Sequence, residues 1–355
     1  MKSNVFAILH EPAQYTTDRN HAVYDRMGVH YAYMYGRSEA KSDEGDAEKS
    51  LSEFSIPALV VWTWRLLKEN DIIIMNGYTN RVFMCLFLLN SFWGRSIGID
   101  SDTPLSIPIN PLKRLLKAAF LNIIFRNRHV YGLAGGTKSH KELFRYYGMK
   151  EKRIFLMPMM VDNAKFYRNE TEKQEKPFVF LYVGRIVECK NIGVMLEAFV
   201  RAFGDNKDVQ MHIVGGGDMQ EEYKKQYAKQ ENIQFLGRRF GKELVDCYHN
   251  AHVFVLPSRY EPWGLVVNEA MATGLPVIVS DKVEAGYDLV ETCHSGLVFR
   301  YDDVAALSER MKEIADDKKL YEELSANAYR RMHEKWNYEF YTECLKKFID
   351  YANKK

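Results

Sequence analysis

The chain has 355 residues, too many for one core of ordinary size, so two domains of roughly 170 residues each are expected. Hydrophobic residues make up 46% and charged residues 27%, which supplies ample core material and excludes a disordered chain. Lys and Arg number 49 against 47 Asp and Glu, a net charge of +2 that gives no overall drive toward nucleic acid, so any basic surface is local.

The five cysteines, Cys85, Cys189, Cys247, Cys293 and Cys344, stand singly and are odd in number. That suits neither a disulfide framework nor a paired metal or redox site and points to a reducing cytoplasm. The first residues turn polar after only a few apolar positions, unlike a secretion signal. The apolar run Val82–Trp93 falls short of the roughly 20 residues that cross a bilayer. A cytoplasmic protein is expected, with a peripheral place on the inner face of the cell membrane as its one membrane role.

In chain order, short apolar runs predict strands at Asn4–Leu9, Asp71–Met75, Ser96–Ile99, Tyr131–Ala134 and Ile154–Met157. The polar stretch Gly36–Glu53 has no apolar face and is expected to be a mobile loop. Asn110–Arg128 predicts an amphipathic helix, capped by Asn110 with Pro111 at the first helical position. Its Leu112, Leu115, Leu116, Ala119, Phe120, Ile123 and Ile124 recur at three- and four-residue spacing. Between Asn110 and Arg153 there are eleven Lys or Arg against two Glu, so this helix either lies on an anionic membrane or packs as an ordinary domain helix with a solvated basic face.

The charged segment Phe166–Lys176 reads as the interdomain linker. A second series of strands follows at Phe178–Val183, Val209–Val214, Ile233–Phe235, Val253–Leu256, Pro276–Val279 and Gly296–Phe299, most of them followed by an amphipathic helix. Strands alternating with helices give an α/β fold with two doubly wound, Rossmann-like domains. The expected division is 1–165, 166–335, and a terminal helix over 336–355 that packs back on the first domain.

Chemistry concentrates in the segment from Phe254 to Ile278. A buried strand ends at Leu256, a loop carries Glu261, and a helix opens near Gly264 and stops before Gly274 and Pro276. The first-turn N–H groups of Gly264, Leu265 and Val266 have no intrahelical acceptor and form an anion site suited to a diphosphate. Side chains lean back toward a helix N-terminus, so Glu269 reaches a group bound there, such as a sugar-ring or ribose diol.

A second element begins where the strand Phe178–Val183 runs into Gly184-Arg185 and then Glu188-Cys189-Lys190-Asn191. With Asn191 as N-cap of the next helix, Lys190 sits at the positive end of a helix dipole, where a cation is disfavoured by about 0.3–1 kcal/mol unless an anion intervenes. An anion is therefore implied. Gly215, Gly216 and Gly217 follow the strand ending at Val214, and serve equally for close approach of a ligand or for a tight strand-to-helix turn.

Glu261-Pro-Trp-Gly-Leu-Val-Val-Asn-Glu269, followed by Ala-Met-Ala-Thr-Gly-Leu-Pro-Val, resembles the Glu-x7-Glu signature of the family 4 retaining glycosyltransferases of the GT-B fold. The resemblance implies that Glu261 contacts donor-sugar hydroxyls and Glu269 holds the ribose. It implies that Arg185 and Lys190, in a matching Gly-Arg-x4-Lys-Asn pattern, lie on the donor diphosphate, and that the turn with Gly215 and Gly217 lines the nucleotide. Phe235-Leu-Gly237-Arg238-Arg239 resembles the family segment beside the base. Ser295-Gly296-Leu297-Val298 matches also and reads as a structural turn.

The first half departs from the family pattern. The first strand leads into His10-Glu11-Pro12-Ala13 where relatives carry a glycine-rich loop, and Asp100-Ser101-Asp102-Thr103-Pro104 stands where many have a histidine. Asp102, or Asp100, is the candidate for touching the donor sugar from the first domain. The resemblance implies transfer of a hexosyl unit, with retention, from a nucleotide diphosphate sugar to an acceptor hydroxyl in cell-surface polysaccharide or glycolipid synthesis. A UDP-sugar is favoured and GDP-mannose is the second candidate. No cofactor besides the donor substrate is expected. With two cations and a helix N-terminus for the leaving diphosphate, and no metal-ligand spacing, metal-independent catalysis is expected. The competing readings are a GT-B sugar-nucleotide 2-epimerase and a catalytically inert partner that binds sugar nucleotide or membrane.

Overall fold

The computed structural model describes residues 3–36, 50–168 and 177–354. Contacts divide it into two units, Met1–Met159 with Tyr338–Lys355, and Met160–Asn337. The dividing line thus falls ahead of the charged segment, and the last helix clusters with the first unit.

In the first unit, β1 (Val5–Leu9) leads into α1 (Gln14–Arg19), a π-helical turn and α2 (Asp25–Met27), then β2 (His30–Tyr33). There follow α3 (Ile56–Glu69), β3 (Ile72–Asn76), α4 (Arg81–Trp93), β4 (Ser96–Ser101), α5 (Pro111–Arg126), β5 (Val130–Ala134), α6 (Ser139–Tyr146) and β6 (Ile154–Leu156). The sheet order is β2-β1-β3-β4-β5-β6, with every pair parallel. Parallel strands are covered on both faces, which is why β3 reads as an unbroken apolar run. β2 lies at the sheet edge with no buried residue, so its sequence carried no strand signal.

Of the expected loop Gly36–Glu53, 37–49 lie outside the described residues. Its last part is packed, not mobile: Ser50 and Leu51 are buried, and Leu51–Glu53 forms a 3-10 turn.

The second unit holds β7 (Phe178–Val183), α7 (Ile192–Phe203), β8 (Val209–Val214), α8 (Gln220–Gln226), β9 (Ile233–Gly237), α9 (Gly241–His249), β10 (Val253–Leu256) and α10 (Leu265–Ala272). β11 (Val277–Ser280), β12 (Gly296–Phe299), α11 (Val304–Asp316) and α12 (Lys318–Arg330) complete it. The order β12-β11-β10-β7-β8-β9 is again wholly parallel.

Of the expected linker Phe166–Lys176, 169–176 lie outside the described residues. The described start is packed, because Phe166 stands edge-on to Tyr248 at 5.7 Å and Arg168 donates to the His249 carbonyl at 2.7 Å.

The chain returns to the first unit in α13 (Tyr338–Asn353). Tyr341, Leu345 and Phe348 are buried there, and Phe348 covers Gly98 of β4 so closely that a Cβ at Gly98 would lie 2.8 Å from its ring. The Tyr24 and Tyr341 hydroxyls share a hydrogen bond at 3.1 Å, and Arg19 lies over both rings. Among the described residues no helix is long and apolar enough to cross a membrane.

Candidate active site

Three loops of the second unit leave the C-terminal ends of adjacent strands β8, β7 and β10, the edge where open parallel sheets bind ligands. The β7 loop is held by Tyr182, whose hydroxyl donates to the Arg185 carbonyl at 2.8 Å. Burial, then the nearby Glu261 carboxylate, push the Tyr182 hydroxyl far above the usual tyrosine range. Cys189 and Arg185 act on the same hydroxyl, so this one ring gathers Arg185 and Glu261 around it. Arg185 itself is exposed, and its guanidinium forms no ion pair among the described residues.

Asn191 does not cap α7 with its side chain. It takes a left-handed conformation, φ 57°, which disfavours most side chains but suits Asn. Its amide donates instead to the Pro257 carbonyl at 3.1 Å and to the Tyr301 carbonyl at 2.6 Å, and its Oδ1 accepts from Arg259 at 3.0 Å. Together with the hydrogen bond from the Arg259 amide to the Cys189 carbonyl at 2.8 Å, this ties the β7 loop to the β10 loop.

That tie sets Lys190 against Glu261. Lys190 Nζ donates to Glu261 Oε2, and the Ser258 hydroxyl donates to the same oxygen at 3.2 Å. The two charged side chains are 15% and 11% exposed, so the pair is largely removed from water. The anion implied beside Lys190 is therefore supplied by the protein itself. Glu261 is also fixed through its backbone, which bridges Val283, accepts from the Glu284 amide and donates to the Lys282 carbonyl.

α10 opens at Gly264, whose φ of 95° and ψ of 66° favour glycine. A Cβ there would press at 3.1 Å on both Glu261 Cγ and Leu256. Just before it, the Trp263 indole N–H donates to Asn268 Oδ1 at 2.8 Å, and its ring stacks on Trp336 at 5.8 Å. Leu265 and Val266 lie in the first turn, where helix geometry leaves their N–H groups without intrahelical acceptors.

Glu269 accepts a hydrogen bond from the Tyr248 hydroxyl of α9 at 2.7 Å. Burial pushes its carboxyl up to about 7, against the lowering effect of that hydrogen bond. Tyr248 is pushed well above the usual range by its own burial and by Glu269. Neither Tyr248 nor Ser258 was marked as a partner of these glutamates in the sequence. Ser258, three residues before Glu261 in a loop, offered a weak positional signal, whereas Tyr248 offered none.

Gly215 and Gly217 are required by the packing of the β7 and β8 loops. A Cβ at Gly215 would fall 1.8 Å from the Gly184 carbonyl oxygen, and one at Gly217 would fall 2.4 Å from that of Ile186. The Arg238 side chain lies over Gly216, whereas Arg239 pairs on the surface with Glu243 at 3.3 Å.

In the first unit, Asp102 is exposed just beyond β4. Asp100 is buried at 4.0 Å from Arg19, and burial pushes its carboxyl up to about 6 despite that cation. The same Arg19 lies over the Tyr24 and Tyr341 rings.

Residues 163–331 match the family described as Glycosyl transferases group 1. These residues belong to the group 1 glycosyltransferases. A probable sucrose-phosphate synthase of Thermosipho melanesiensis is 29% identical over 225 residues, 61% of this chain and 51% of that protein. The capsular polysaccharide biosynthesis glycosyltransferase CapM of Staphylococcus aureus is 25% identical over 189 residues, 52% of this chain and 49% of its own. The matches thus span about half the length of these curated relatives.

The crystal structure of Anabaena HepE in complex with UDP superposes with a TM-score of 0.74 at 14% identity, covering 98% of this chain and 99% of that one. The two doubly wound parallel sheets are the GT-B fold.

Proposed function

We propose that the chain is a retaining, metal-independent hexosyltransferase that takes its sugar from a nucleotide diphosphate donor and passes it to an acceptor hydroxyl. The observation that carries this reading is the Lys190–Glu261 pair, set beside the α10 N-terminus by the Asn191 tie. A diphosphate at that N-terminus meets the N–H groups of Gly264, Leu265 and Val266, with Arg185 and Lys190 as counter-cations. These groups stabilise the charge that grows on the departing diphosphate, the task a divalent metal otherwise performs.

On this reading, Lys190 turns from Glu261 to the phosphates, which leaves the Glu261 carboxylate to accept hydrogen bonds from the sugar hydroxyls. Glu269 accepts from the ribose, Gly215, Gly217, Arg238 and Arg239 flank the nucleotide, and Asp102 is the candidate for touching the donor sugar. A UDP-sugar is favoured, with GDP-mannose second, because a solved relative in fold holds UDP. An acceptor in cell-surface polysaccharide or glycolipid synthesis follows the capsular relative.

Thermal-shift measurements with UDP, GDP and ADP test the donor site. A nucleotide at 100 times its dissociation constant adds about 2.7 kcal/mol to stability. UDP is expected to give the largest shift and Lys190→Ala to abolish it. Absence of any nucleotide shift, or an undiminished UDP shift in Lys190→Ala, refutes the reading. Incubation with UDP-hexoses, followed by NMR, separates transfer from epimerisation, since an epimerase converts donor without an acceptor. Turnover unaffected by EDTA is expected.

A further inference from the structure

α5 carries apolar residues on two opposite faces. Leu121, Ile124 and Phe125 are buried against the sheet side. Leu112, Leu115, Leu116, Ala119 and Ile123 share the other face at three- and four-residue spacing, and the leucines and Ile123 are 61% to 67% exposed. This face, which the sequence left as either a membrane-lying surface or a solvated basic one, is an exposed apolar stripe. It extends into the segment before the helix, where Ile109 is 98% exposed. Isolated exposed leucines are ordinary, but a contiguous stripe of this kind marks an interaction surface.

The charge around the stripe selects the partner. α5 contains Lys113, Arg114, Lys117 and Arg126 and no acidic residue. None of the four forms an ion pair among the described residues. Lys117 is held inward, donating to the Ser106 carbonyl at 2.6 Å, whereas Lys113, Arg114 and Arg126 are exposed. Two copies meeting through this face would bring cations against cations with no acidic complement. An anionic lipid surface supplies both the missing charge and an apolar phase.

We infer that α5 and the residues just before it form an interfacial helix. It lies in the plane of an anionic bilayer, with Leu112, Leu115, Leu116 and Ile123 in the acyl boundary and Lys113 and Arg126 at the phosphates. This inference stands apart from the donor chemistry and requires no membrane-spanning segment.

Sedimentation of the full chain with vesicles tests it. The protein is expected to pellet with phosphatidylglycerol–phosphatidylcholine vesicles and to stay in solution with phosphatidylcholine alone. Each cation near a lipid surface changes binding by about fivefold, so Lys113→Gln with Arg126→Gln is expected to weaken it about 25-fold. Leu115→Ser with Leu116→Ser is expected to weaken binding more than about tenfold while the melting temperature stays unchanged, because both side chains are exposed. The inference is overturned if the wild type stays in solution with anionic vesicles, or if the leucine variant pellets like the wild type. It is also overturned if the chain dimerises without lipid and the leucine variant is monomeric.

Discussion

Replacing Glu269 by Gln removes a carboxyl that burial pushes up to about 7 in the folded chain, against an ordinary value of 4.5. Below pH 4.5 the group is protonated in both folded and unfolded chains and contributes no pH dependence. Between 4.5 and about 7 the unfolded chain releases the proton while the folded chain keeps it, so stability falls as pH rises. Above about 7 both forms are ionised and the penalty is complete. The shift of about 2.5 units, from 4.5 to about 7, at 1.36 kcal/mol each amounts to about 3 kcal/mol. Urea unfolding of the wild type and Glu269→Gln from pH 4.5 to 8.5 reads this directly. The stability difference, wild type minus variant, is expected to fall by about 3 kcal/mol across the range. Tyr248→Phe deletes the hydrogen bond that opposes the shift and is expected to deepen the fall. A difference that stays flat with pH, or that rises, refutes the reasoning.

A double-mutant cycle on Lys190→Met and Glu261→Gln tests the buried pair. Each single change strands a polar or charged partner and is expected to cost about 3 kcal/mol, with the double change at least about 1 kcal/mol less than their sum; strict additivity in urea unfolding excludes the pair. Gly215→Ala puts a methyl 1.8 Å from the Gly184 oxygen and is expected to cost more than about 3 kcal/mol, whereas an unchanged melting temperature contradicts the loop contact. Asn268→Leu removes the acceptor of the buried Trp263 N–H. It is expected to cost about 1–3 kcal/mol, which chemical denaturation measures.

Central strands were readable because their apolar runs have few competing explanations; β7, β8 and β10 fall on the expected residues, and so does the edge strand β12. The edge strand β2 escaped notice because its half-exposed His30–Tyr33 lacks both an apolar run and alternation. The Glu-x7-Glu segment located a loop followed by a short helix correctly. What it did not carry was the internal partner of each glutamate. Lys190 and Tyr248 reach Glu261 and Glu269 only through sheet order, which brings β7 and the end of α9 beside β10. For Asn191, residue type and position indicated a cap, but a left-handed backbone turned the amide toward two other loops. In α5 the three- and four-residue spacing predicted a helix with the correct cap, yet apolar residues on two faces left its inward side undetermined.

The affiliation of α13 bears on how the polypeptide emerges during synthesis. All of Met160–Asn337 is translated before the segment that shields Gly98 and receives the Tyr24 hydroxyl. An early product ending before Tyr338 leaves that face of β4 open to water and the Arg19 guanidinium without one of its two aromatic neighbours. The six strands of the first unit are thus made first, yet the face that α13 covers is completed last.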